Sequence, residues 1–265
     1  MMNILRADVY RLIRGKALYI TFAVLLALNV MVVVVGAVGG VNHANQHRAI
    51  GIEMPDIGFN GMGSAALLYT RMDNIIFFLL PLVIAVAVAM FSNRTVRNDI
   101  AWGMSRTKLY LSKLILSGGL CIVLIAFYMG TGMLMATAAQ GFGGPAPAGY
   151  WQNLFATVGA QTLAMLAVTS MGVFFSFLFK SSAAVTGIFM AFFLVPILVI
   201  DVLAHLVDPR FYRLLDFDLM FIVNRLGFFS QLETRVVVSA MATGAVYILA
   251  TTIGGIALFN RAEIK

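Results

Sequence analysis

The groups in this sequence that could do chemistry are few: three histidines, one cysteine and a handful of polar residues inside apolar stretches. His43 and His47 stand four apart in HANQH, a spacing that puts two imidazoles on one helix face, with Glu53 the nearest carboxylate. The pattern is not the His-Glu-x-x-His of a zinc hydrolase, so the pair reads as ordinary loop histidines and no metal is expected. Cys121 is the sole cysteine, which excludes an intrachain disulfide, and it reads as a buried small apolar residue. Phosphate chemistry would need a G-x-x-x-x-G-K-[ST] loop, and the chain has none. Its densest glycine cluster, GFGGPAPAG over 141–149, lacks the lysine. Asn29, Gln161 and Asp201 interrupt apolar runs. The first two are candidate linings of a substrate path, or hydrogen-bonding links between helices. Asp201 falls near a helix end and reads as solvated. No cofactor is expected on this chain, and it is not expected to be an enzyme.

The elements that must position these groups follow from composition. The chain has 265 residues, 61% of them hydrophobic and 11% charged, with a mean hydropathy of +0.95. A soluble domain averages roughly 25% charged residues. The chain is therefore read as an all-α integral membrane protein, a single transmembrane domain over 1–265. Six apolar runs approach the ~20 residues a spanning helix needs: Leu18–Val38, Ile75–Phe91, Leu114–Ala138, Leu154–Phe179, Ala183–Leu203 and Val236–Phe259. The first, extending from Ala17 to Val41, exceeds the hydrophobic region of a signal peptide and is expected to be retained. The net charge of +7 is read as basic loops facing anionic headgroups rather than as a nucleic-acid surface.

Charge also sets an expected orientation. With the N-terminus cytoplasmic, the inner segments hold Arg6, Arg11, Arg14, Lys16, Arg94, Arg97, Arg106, Lys108, Lys113, Lys180, Arg261 and Lys265. The outer segments hold half as many: Arg48, Arg71, Arg210, Arg213, Arg225 and Arg235. The bias predicts both termini inside. Residues 42–74 and 140–153 then read as outer loops. Residues 205–235 form an outer segment whose alternating aromatic and charged residues suit short interfacial helices.

Two inner segments carry a pattern. Residues 1–16 are amphipathic as a helix, with Met2, Leu5, Val9, Leu12 and Ile13 on one face and Asp8, Arg11 and Arg14 on the other. Residues 92–113 hold five cations and their own punctuation. Thr95 is placed to cap a short helix in which Val96 and Ile100 share a face. Gly103 is placed to end it, and Ser105 to cap a second helix that runs into the third span. A plain connection could be about four residues long. This one is ordered, which points to a docking element.

The loop resembles the cytoplasmic coupling segment of ABC-2 type transporter permeases. The matching residues are Thr95-Val96-Arg97-Asn98, Gly103-Met104-Ser105-Arg106 and Tyr110-Leu111-Ser112, with Pro81 and Pro196 as helix prolines in the second and fifth spans. Six spans, an N-terminal elbow helix and a long segment between the last two spans extend the resemblance over nearly the whole chain. One departure is Asn93-Arg94-Thr95, where many relatives carry an acidic residue before Gly-Thr; Asp99 is the acid nearest to take that role. The resemblance implies a bacterial plasma-membrane exporter of an amphipathic, peptide or lipid-like cargo. It implies a second permease chain, the same or homologous, and a soluble ATPase partner that carries ATP and Mg. It implies ATPase docking through Thr95, Val96, Arg97, Asp99, Ile100, Gly103, Ser105, Arg106 and Lys108.

The competing reading is a secondary transporter or channel not coupled to ATP. Ion-coupled transporters place carboxylates and broken helices near the bilayer midplane. No Asp or Glu falls near the centre of any of the six runs, which weighs against it.

Overall fold

In hydrocarbon every backbone N–H and C=O must be satisfied within the protein, and an α-helix does this within one segment. The computed structural model of the chain describes residues 2–38, 60–93, 95–101, 103–146, 148–227 and 234–261. His43, His47 and Glu53 lie outside them, as does Arg94. The described residues are helical with no strand. Six helices are long and apolar enough to cross a membrane, so the protein is a multi-pass membrane protein.

A short helix, α1 (Met2–Arg14), precedes the first span, α2 (Lys16–Val38). A ten-residue helix, α3 (Gly61–Thr70), and a 3-10 turn (Met72–Asn74) lead into the second span. That span is built from α4 (Ile75–Val83), a π turn (Ile84–Val88) and α5 (Ala89–Ser92). Then come α6 (Thr95–Ala101), the third span α7 (Arg106–Gln140), the fourth α8 (Tyr150–Phe179) and the fifth α9 (Ser182–Leu206). A 3-10 helix (Pro209–Phe217) and α10 (Leu219–Gly227) precede the sixth span, α11 (Thr234–Arg261). The six runs expected from hydropathy each fall within one of these spans.

The fourth span is the hub. In its most apolar window 67% of residues are buried, against 11% in the sixth span. It packs along α11, α7, α9, α10 and the second span. The first, fifth and sixth spans lie at the rim and leave apolar side chains such as Met31, Leu198 and Ile253 exposed, as a lipid-facing surface requires.

Residues 42–74 were expected to be an outer loop, and within this stretch 61–70 instead form a buried helix. Met62, Ala65 and Leu68 are core residues. The reason is close approach: a Cβ at Gly132 would fall 2.5 Å from Leu68, and one at Gly227 would fall 2.7 Å from the backbone of Thr70 and Tyr69. Small residues on α7 and α10 let this helix sink in. Gln161, at the heart of α8, fastens it by donating from Nε2 to the carbonyls of Tyr69 (2.8 Å) and Val223 (2.9 Å).

Candidate functional site: the joint at the basic end

Helix α1, the last described turn of α11 and the connection between the second and third spans meet at one end of the bundle. At Gly103 and Ser105 the connection is built as its punctuation implies. Gly103 has φ +82°, and its N–H donates to Ile100 O at 2.9 Å, closing α6. No heavy atom lies within 4 Å of where its Cβ would be, so conformation and not space favours glycine here. Ser105 is extended (φ −68°, ψ 142°), and its side chain accepts from the N–H of Lys108 at the start of α7. Thr95 differs from expectation. It is itself helical, and its hydroxyl donates to Met90 O at 3.3 Å, tying α6 back to the end of the second span.

The apolar face of α6 is used within the bundle. Val96 is 3% exposed and packs with Val83, Met90, Leu109 and Phe259, with Ile100 at the edge of the same cluster. The exposed rim of this joint is Asn98, Ala101, Gly103, Ser105 and Lys108. The side chains of Arg97 and Asp99 lie outside the described residues.

Arg106 is committed to the last span. Its Nη1 donates to Phe259 O at 3.0 Å and to Asn260 O at 2.8 Å, and its guanidinium lies 6.0 Å from the Phe259 ring centroid. Those carbonyls belong to the last described turn of α11, and the carbonyl end of a helix dipole favours a cation.

Beneath the loop lies an aromatic cluster. Phe177 meets Phe259 edge-on at 4.8 Å and Tyr110 at 4.7 Å, and Phe91 packs against Phe177 at 5.4 Å. Lys180, left-handed at φ 55°, holds its ammonium 5.9 Å from the Phe91 ring. Tyr110 is fully buried and donates its hydroxyl to Thr251 O at 3.0 Å. A Cβ at Gly255 would fall 2.3 Å from that hydroxyl, so the glycine makes the seat for the ring.

The fastening that sequence reasoning missed is an ion pair. Lys113 Nζ lies 2.5 Å from Asp8 Oδ2, with the side chains 2% and 9% exposed. It joins α1 to α7 one turn below the aromatic cluster. The signal was present: Asp8 is the sole acid of α1, and Lys113 is the loop cation farthest into the apolar run. No family model matches this chain, and neither does any curated protein.

Among the described residues no group of three or more His, Cys, Asp or Glu could hold a metal. The two candidate substrate-path residues sit elsewhere, and both are fastened. Asn29 donates from Nδ2 to Tyr128 O (3.0 Å) and Thr131 Oγ1 (2.7 Å), linking the first and third spans, and Gln161 holds α3 and α10 to the hub. Each leaves its amide oxygen buried without a hydrogen bond. Asp201 is exposed, and accepts from the Tyr212 hydroxyl at 2.9 Å. Cys121 is buried in the core.

Proposed function

We propose that the chain is the membrane subunit of an ATP-driven transporter of the ABC-2 type, and that residues 92–113 are its coupling segment. In this reading the basic end faces the cytoplasm of a bacterial cell, and a soluble ATPase carrying ATP and Mg docks on the rim of α6 and the start of α7. A second permease chain completes the translocation path, and the cargo is an amphipathic, peptide or lipid-like molecule that is exported.

The observation that carries the reading is the joint itself. A coupling element must pass force without bending, so it needs a rigid seat. Val96 sits in the bundle, Thr95 holds the second span, Arg106 holds the sixth, and Lys113 holds α1. A push on the rim would therefore reach three spans and the N-terminal helix together. Val96, Ile100 and Arg106, which the resemblance implies for docking, act in this reading by seating the segment. Contact with the ATPase falls to Gly103, Ser105, Lys108 and the neighbouring Asn98.

The test is co-purification of the tagged chain with a soluble ATPase encoded beside it, followed by an ATPase assay. Lys108→Glu and Asn98→Trp are expected to lower recovery of the ATPase while leaving yield and thermal stability of the membrane subunit unchanged. A chain that purifies with no ATPase, or rim variants that bind it at wild-type level, would overturn the docking. The π turn at Ile84–Val88 is the one observation that favours a transporter not coupled to ATP, because helix breaks often mark ion and substrate sites. Ion-driven flux in liposomes without ATPase would decide for that reading.

A further inference from the structure

An apolar groove of about 310 Å³ opens where α1, α2 and α7 meet, lined by Val9, Ile13, Tyr19, Phe22, Leu120 and Val123 among others. Val9, Ile13, Tyr19 and Val123 are exposed along it. From Leu116 to Val123 the α7 wall of the groove runs roughly 10 Å along the helix axis. That is about the length of the upper half of an acyl chain. The groove lies at the basic end, beside the helix that carries Arg6, Arg11 and Arg14 and ahead of Lys16.

The charge around it is one-sided. Asp8 is the sole acid on α1, and it is turned inward onto Lys113. Arg6, Arg11, Arg14 and Lys16 are exposed, and none forms an ion pair among the described residues. Arg6 precedes Val9 by three residues, so it shares the helix face that lines the groove. Lys16 opens α2 three residues before Tyr19, another lining residue, and shares its side of the helix. An apolar slot with cations at its mouth is complementary to one class of molecule: an acyl chain attached to an anionic headgroup.

We infer that this groove binds an anionic phospholipid from the leaflet at the basic end. One acyl chain lies between α2 and α7 along Phe22, Leu120 and Val123, and the phosphate lies against Arg6 and Lys16. The site holds α1 at the interface by a ligand as well as by the Asp8–Lys113 pair. It does not depend on the ATP-coupled reading, since it uses no residue of the docking rim.

Native mass spectrometry of the full chain, released from detergent containing equal phosphatidylglycerol and phosphatidylcholine of the same chain length, tests this. The wild type is expected to retain one phosphatidylglycerol with a roughly thirtyfold preference, the value for two cations near the surface. The double variant Arg6→Gln with Lys16→Gln should lose the preference and keep weak, headgroup-blind binding. Val123→Trp, which fills the groove from its exposed edge, should lose both lipids. Thermal melting of each variant without lipid checks that the fold is retained. Equal retention of the two lipids by the wild type would overturn the proposal, as would wild-type retention by Val123→Trp. A lipid-free dimer that Val123→Trp dissociates would overturn it too, by assigning the groove to a second copy.

Discussion

Lys113 and Asp8 form an ion pair at 2.5 Å across 105 residues of sequence, almost out of contact with solvent. A pair of this kind contributes little over an apolar replacement, but breaking it strands a buried charge. Lys113→Ala or Asp8→Ala alone is expected to cost about 3–5 kcal/mol. Lys113→Met combined with Asp8→Leu should be much closer to wild type. Thermal unfolding in detergent measures both, and equal losses for the single and double variants would deny the coupling.

Arg106 binds the last described turn of the sixth span, so its loss should loosen that turn, 153 residues away. Arg106→Gln is expected to lower stability by about 1–2 kcal/mol. The diagnostic reading is hydrogen exchange: amides in the last turn of α11 should speed up while those of α8 do not. For the same reason an Arg106 variant does not report on docking alone, and Lys108 and Asn98 are the cleaner probes.

Gly255 and Tyr110 are complementary in shape. Gly255→Ala drives a methyl into the tyrosine ring, and overpacking of this kind costs about 1–3 kcal/mol. Tyr110→Leu, which loses the ring and its bond to Thr251, is also destabilising on its own. Made together, the two changes should cost less than their sum, and a strictly additive result in a melting experiment would remove Gly255 from this role.

Asp218 gives the fold a pH dependence. It caps α10 by accepting from Phe221 N–H at 2.8 Å, yet burial pushes its carboxyl above the usual range. A carboxyl raised on folding favours the protonated native form. Its stabilising contribution is present below the unfolded value near ~3.9 and is lost as pH rises through the folded one. Asp218→Asn keeps an N-cap and removes the charge. The variant should match the wild type near pH 3, and its melting temperature should exceed the wild type's at pH 7. A wild-type melting profile that rises through this window relative to the variant's would contradict the assignment.

Hydropathy alone located the six spans, because a run of apolar residues in hydrocarbon has no alternative to a helix. The Gly103 and Ser105 punctuation was equally legible, since left-handed backbone and N-capping are local matters of residue type. Three features were not. Residues 61–70 form a buried helix because Gly132 and Gly227, far away in sequence, leave room for it. Arg106 and Lys113 read as loop cations, and their partners lie at the two ends of the chain. Val96 was correctly placed on an apolar face of α6, but nothing local says whether that face meets a partner or the bundle.

The π turn at Ile84–Val88 carries one residue more than an α-helix of the same length would hold. Deleting one residue there leaves a regular helix whose lower part keeps its azimuth, so α6 still presents Val96 to its pocket. The same deletion within Ile75–Val83 rotates everything that follows by about 100° and carries Val96 out of register. The second span therefore has a place where its length can change without altering how the joint is phased to the rest of the bundle.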